Sequence, residues 1–257
     1  MRFEWFIAIR YLREGRAQTA LVLAGTTVGV AVLIFLTALI SGLQRSLVAQ
    51  TLSAQAHVLV KAPQRVARPL PVDAGTADRV EKVADRIRSI EQWQQVLASL
   101  PSIPGVVAAS PTAAGAAFAS RGTATKSVAL RGIDPDSFAR VIEILPRMKT
   151  GRFALEGAEA MIGAGLAADL GVSVGDKIRV NTPEGRGDTF TVAGTFDLGN
   201  KEVNTRWVLV PLRAAQTMLD LPGGVTTIEV KVDRIFDAER VAREISRRHG
   251  LSADSWM

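Results

Sequence analysis

Residues 17–44 read AQTALVLAGTTVGVAVLIFLTALISGLQ, and no charged side chain interrupts the chain between Arg16 and Arg45. At about 1.5 Å of rise per residue, a helix of this length reaches about 40 Å, more than the ~30 Å hydrocarbon core of a bilayer. A buried helix of a soluble domain rarely needs that length, so the stretch predicts one transmembrane helix. The rival is a cleaved signal peptide, because Ala54-Gln55-Ala56 has the small-residue form of a cleavage site. A signal peptide's apolar segment runs only about 7–15 residues, and this cut lies well past the end of the apolar run. The uncleaved anchor is preferred.

Charge sets the orientation. Arg2, Arg10, Arg13 and Arg16 precede the span, with Arg45 after it. Basic residues hold a short flank in the cytoplasm, whereas a long domain crosses largely regardless of charge. The N-terminus is therefore expected inside and the bulk of the chain outside, in the periplasm or its equivalent. Residues 1–16 carry Phe3, Trp5, Phe6, Ile7, Ile9, Tyr11 and Leu12. They read as a short helix lying along the cytoplasmic headgroup layer, with Trp5, Arg10 and Arg13 as interface anchors. Within the span, Gly25 and Gly29 form a Gly-x-x-x-Gly beside Ala24, Thr26, Thr27 and Ala31. Such small residues let another helix approach closely. The same spacing also arises by chance in a Gly/Ala-rich helix, so both readings stand. The division is 1–16 interfacial helix, 17–44 transmembrane helix and 45–257 extracytoplasmic domain, of one or two subdomains.

The chain has 257 residues, 47% hydrophobic content, 5% aromatic content, no cysteine and formal net charge +6. That length is ample for a real core. Without cysteine there is no disulfide framework, thiolate metal site or cysteine nucleophile. The basic residues are interleaved with Asp and Glu instead of clustering, which argues against nucleic acid.

After the span, Leu43, Leu47 and Leu52 continue the helix as a stalk, and Ala56–Val60 reads as a strand. The Pro- and Arg-rich segment Ala62–Pro71 reads as a connector. Val80, Val83, Ile87, Ile90, Leu97 and Leu100 recur at steps of three and four, predicting a helix over Ala77–Leu100 that Pro101 and Pro104 end. Packing on its own domain is preferred to a coiled-coil partner. Strands are expected at Gly105–Ser110, Thr125–Gly132, Ala160–Ile162, Asp176–Asn181, Thr189–Gly194, Trp207–Val210 and Thr227–Val232. Helices are expected at Asp134–Leu145, Leu166–Leu170, Leu212–Leu219 and Asp237–Arg248. Short strands joined by a tight glycine turn, as at Pro183–Gly187, imply antiparallel pairing, and the whole predicts a mixed α+β domain. Gly171, Gly175 and Gly185 are expected to hold turns.

Motifs for chemistry fail one by one. Gly163-Ala164-Gly165-Leu166-Ala167-Ala168 follows a strand and opens a helix, the local form of a dinucleotide fingerprint. Its helix stops at Gly171, and no Asp or Glu stands near Val180–Pro183 to hold a ribose, so a tight strand-to-helix turn is the better reading. Gly122–Ser127 has the wrong spacing for a phosphate loop and precedes a strand; it reads as a loop. His57 and His249 are isolated, without metal-ligand spacing. No nucleophile elbow is present. The expectation is a non-enzyme with no cofactor and no metal.

One resemblance ties the pieces together. Ile103-Pro104-Gly105-Val106 and Ser110-Pro111 are followed by Leu130-Arg131-Gly132-Ile133-Asp134-Pro135, then by Ile162-Gly163 and Leu166-Ala167. Next come Leu170-Gly171-Val172, Val174-Gly175-Asp176-Lys177-Ile178-Arg179-Val180, Phe190–Phe196, Val210-Pro211-Leu212 and Ala215-Gln216. Their order behind a basic, aromatic flank and one span resembles the periplasmic core of MacB/FtsX-type ABC transporter permeases, including the lipoprotein-releasing LolC/LolE group. The resemblance implies a permease subunit of an exporter or lipoprotein-releasing system in the bacterial inner membrane. It implies a cytoplasmic ABC ATPase, a second permease copy or homologue, membrane lipids and a periplasmic adaptor or chaperone as partners. It also implies that ATPase-driven motion passes through the membrane helices to the periplasmic domain. Family subunits have four spans, three after the periplasmic domain, and this chain reaches Trp256-Met257 before any of them; a fragment, a truncated reading frame or a degenerate permease is the expectation. LolC-like members grip a chaperone with an extended hairpin, where Thr182–Asp188 is a short turn. The alternative reading is a single-span anchored binding module with no ATPase; a secreted enzyme freed near Ala56 lacks a convergent polar site.

Overall fold

The computed structural model describes residues 5, 7, 10, 16–52, 55–63 and 88–256. Met1–Gln50 and Thr51–Met257 form separate compact units. Helix α1 spans Arg16–Leu52, 37 residues, all but its last two in the first unit, and its stretch Ala17–Leu43 has the length and hydropathy of a membrane span. Such a helix is about 55 Å long, so it continues well beyond its apolar part, as a stalk requires. Thr26 and Thr37 donate their hydroxyls back to the carbonyls of Val22 and Leu33, at 2.9 and 2.8 Å. This removes bare polar groups from an apolar surface. Trp5, Ile7 and Arg10 are helical and exposed. Arg13 lies outside the described residues.

The second unit contains a ten-stranded sheet among the described residues. Its element order is β1 Val58–Lys61, α2 Trp93–Ser99, β2 Val106–Arg121, β3 Ala124–Ile133, α3 Pro135–Val141, β4 Met148–Gly151, β5 Glu159–Gly163 and α4 Ala164–Leu170. Then follow β6 Lys177–Asn181, β7 Gly187–Phe196, α5 Lys201–Arg206, β8 Trp207–Pro211, α6 Leu212–Met218, β9 Thr227–Val232, α7 Ala238–His249 and β10 Ser252–Ser255. This is the mixed α+β domain that the sequence predicts.

Two lobes share strand β2. Its first half pairs antiparallel with β9, from Val106↔Val232 to Thr112↔Thr227. β9 pairs with β1, and β1 with β10, giving an open sheet. Its second half pairs with β3 and, at Phe118–Ser120, with β6. Following the ladders onward, β3 runs parallel to β8, β8 pairs with β5, β5 runs parallel to β7, and β7 returns to β6. These six strands close into a barrel. Its interior is filled by Ala113, Ala117, Ala119, Val128, Leu130, Ile162, Ile178, Val180, Phe190, Val192, Val208 and Val210, all buried. Each inward position alternates with an outward one, the period-two pattern of a strand. In the open lobe Val58, Val60, Ile228, Val230 and Val232 face Val96 and Leu100 of the α2 segment and Val241 and Ile245 of α7.

Three sequence expectations change. β2 does not stop at Ser110 but runs through Pro111 to Arg121, and only Gly122-Thr123 remains as the turn to β3. The predicted helix over Asp134–Leu145 ends at Val141; Asp134 caps it by accepting from Ser137 N at 3.0 Å. Of the helix predicted over Ala77–Leu100, residues 77–87 lie outside the described residues. Ile90 instead bridges Val225, and the helix starts only at Trp93. Gly171, Gly175 and Gly185 all have positive φ, as their turn roles require.

Candidate functional site

Two features of the second unit stand out from ordinary packing, and both lie where the lobes meet. The first is a buried ion pair. Arg131 on β3 of the barrel donates through Nη2 to Oε1 of Glu229 on β9 of the open sheet. Only 3% of Glu229 is exposed. The Arg131 guanidinium lies 3.9 Å from the ring centroid of Trp207, an attractive cation–π geometry. Ser110, opposite Glu229 in the β2–β9 register, shares a hydroxyl bond of 3.0 Å with Ser137, joining β2 to α3. The pair bridges the lobes across β2; removing one partner strands a buried charge.

The second is a groove of about 890 Å³ along the first half of β2. Its walls are Trp93, Leu97 and Leu100 on one side, Pro135 and Arg140 on another, and Leu212 and Arg213 of α6 at one end. The floor is Val106–Ala109 with Pro111. The groove exists because β3 pairs with β2 only from Thr112↔Ile133 onward; Asp134-Pro135 then turns the chain into α3. At the same level β8 ends at Pro211 and α6 begins. Trp93 Nε1 donates to Gly223 O at 3.0 Å and fixes the α2 wall.

The glycine-rich stretch Gly163–Ala168 is accounted for by packing. A Cβ on Gly163 meets Asn204 O at 2.1 Å, and one on Gly165 meets Thr205 Cγ2 at 2.7 Å. The start of α4 is thus closed by α5, and the glycines permit that contact. Asn204 is itself held by Asp197, whose carboxyl accepts from Gly199 N at 3.0 Å and from Asn204 Nδ2 at 2.5 Å. The Gly199 N–H, then Asn204, hold the Asp197 carboxyl below its ordinary value. No group of three or more His, Asp or Glu with metal-binding geometry occurs among the described residues.

Of the residues singled out in the sequence, Gly25 and Gly29 lie on the apolar stretch of α1, and a Cβ at either meets nothing within 4 Å. That leaves both open to a neighbouring helix. Trp5 and Arg10 are exposed, and none of the four belongs to the groove or the ion pair. Sequence reasoning missed both of these features. Arg131 and Glu229 fall within predicted strands, but only long-range register brings them together.

Residues 19–248 match the family described as MacB-like periplasmic core domain. The lipoprotein-releasing system transmembrane protein LolC of Neisseria meningitidis is 26% identical, aligned over 89% of this chain and 54% of its own length. The lipoprotein-releasing system transmembrane protein LolE of Haemophilus influenzae is 25% identical, over 94% of this chain and 58% of its own. The chain thus spans little more than half the length of these curated relatives. The periplasmic region of MacB from Actinobacillus actinomycetemcomitans shares the fold, with TM-score 0.50 and 11% identity over 80% of this chain and 91% of that one.

Proposed function

This chain belongs to the MacB-like periplasmic core domain family, and from that membership we propose that it works within a permease subunit of an ABC exporter or lipoprotein-releasing system. The observation that carries the reading is continuity: one family match runs from inside the apolar helix to the last helix of the domain. In this reading α1 crosses the inner membrane with its basic flank in the cytoplasm, and the barrel and open sheet stand in the periplasm. A cytoplasmic ABC ATPase supplies the energy, and a second permease copy or homologue completes the assembly. ATP-driven closure of the ATPase pair moves the membrane helices, and α1, continuing past its apolar part, passes that movement to the domain. Gly25 and Gly29 give neighbouring spans a close approach. Trp5, Arg10 and Arg13 seat the cytoplasmic flank among the lipid headgroups. The domain itself hydrolyses nothing; it handles the cargo, or an adaptor or chaperone that takes it.

Purification of the native complex from membranes tests this directly. An ABC ATPase should be recovered in a stoichiometric amount. Trapping it with ATP should alter the distance between spin labels on two copies of the domain. Recovery of the chain without an ATPase overturns the permease reading and leaves the anchored binding module in its place. Replacing Gly25 and Gly29 together by Leu should lower recovery of the assembly; unchanged recovery removes the packing role.

A further inference from the structure

The groove along β2 is an interrupted position in the plane of the sheet. The open lobe continues on the β9 side of β2, while on the other side β3 has already turned away at Asp134. The directions of the main-chain groups follow from two hydrogen bonds. Val230 points its carbonyl at His57 N, 3.0 Å away on the β1 side. Thr112 points its carbonyl at Thr226 N, 3.1 Å away on the β9 side. Side alternates with each residue of a strand. Ala109, opposite Val230, therefore turns both its N–H and its C=O away from β9 and into the groove. Pro111 turns its C=O the same way, but toward the end of β3, where the ladder begins at Thr112↔Ile133. A main-chain donor and acceptor in a largely apolar slot call for a partner. The partner that supplies both at strand spacing is another strand.

We propose that this groove binds an extended peptide segment of a partner polypeptide, added to β2 as a short strand at Ala109. This names a class of partner for the domain and rests on the extracytoplasmic reading above. Main-chain bonds to Ala109 set the direction and register of the peptide. Alternate side chains fall on the two walls, Trp93 and Leu97 on one and Pro135 on the other, with Val107 exposed on the floor. Arg140 and Arg213 stand at the rim, both exposed and neither in an ion pair with a described residue. They favour an acidic residue at either end of the segment. The bulge at Val107 and the missing N–H of Pro111 confine pairing to a few residues. That limit guards the edge against sheet-to-sheet aggregation while leaving room for one peptide.

The test uses the full chain in lipid nanodiscs and a random 12-residue peptide library displayed on phage. Selected peptides, synthesised, should carry alternating apolar residues and an acid. N-methylation of single peptide bonds should lower affinity at least tenfold at one residue and leave its neighbour unchanged, the signature of strand pairing. Ala109→Pro should lower affinity by the same factor. Arg213→Glu, which leaves the backbone alone, should reverse the preference for acid. The proposal is overturned if no peptide is selected, if N-methylation has no position-dependent effect, or if dodecanoate fills the groove and displaces the peptides without main-chain dependence. ATPase recovery is read separately, so an ATPase without peptide binding removes this inference and spares the permease reading.

Discussion

The barrel and the open sheet share β2, yet they solve the problem of strand edges in opposite ways. Six strands of the barrel pair on both sides, so its ladders have no free edge, and an aliphatic interior fills it. The open lobe buries one face under α2 and α7 and stops short on the other side of β2, where the groove opens. Closed ladders give stability without reactivity; an unpaired edge gives a place to bind at some cost in stability. The lobe that carries the domain's frame and the lobe that presents its surface are thus distinguished by pairing alone, with Arg131 and Glu229 holding one to the other.

The comparison breaks most sharply at that link. Glu229→Ala should destabilise the domain by about 3–5 kcal/mol, because it leaves the Arg131 charge buried without its partner. Replacing both, Arg131→Met with Glu229→Leu, should recover most of the loss; chemical denaturation of the three variants checks this. If the double variant is as unstable as the single one, the pair is not what joins the lobes. Within the barrel, Phe190→Ala should cost about 3–5 kcal/mol by opening a cavity. Val107→Ala on the groove floor should change stability by less than about 0.5 kcal/mol, as exposed substitutions do. Comparable losses at the two sites would erase the distinction between frame and surface.

Smaller effects sharpen the same picture. Asp134→Ala removes the cap at the point where the chain leaves the sheet to form the groove wall, and should cost about 1 kcal/mol. In a domain of this size that is about 2–4 °C in the thermal midpoint. The least effect concerns acid. Asp197 is held below its ordinary value by Gly199 and Asn204, so its contribution is present at neutral pH and is lost as pH falls through its lowered folded value. Urea midpoints at pH 7 and pH 3 should therefore differ less in Asp197→Asn than in the parent chain; an equal difference rules the contact out as a source of acid sensitivity.

Local pattern made much of this fold legible. β9 alternates as Thr-Ile-Glu-Val-Lys-Val, and the Gly185 turn fixes the β6–β7 hairpin. Barrel closure was not legible, and β2 shows why. Beyond Pro111 it reads TAAGAAFASR, poor in the β-branched residues that mark strands. Alanine is used there because a six-stranded barrel is narrow, and Ala113, Ala117 and Ala119 leave space for Phe190. The edge strands β4 and β10, with sequences MKTG and SADS, bury little and carry no alternation. The long apolar helix was readable because its signal is a continuous run. The groove was not, since it consists of the point where one strand outlasts its neighbour, a property of pairing and not of any residue.

The claim on which the account rests is that α1 spans the membrane and sets the domain outside it. The chain has no cysteine, so each introduced thiol reports alone. Ser127→Cys on the barrel exterior should react with a membrane-impermeant maleimide in intact spheroplasts, and Trp5→Cys only after the membrane is permeabilised. Labelling of Trp5→Cys from outside with Ser127→Cys protected, or protection of both until permeabilisation, would contradict it.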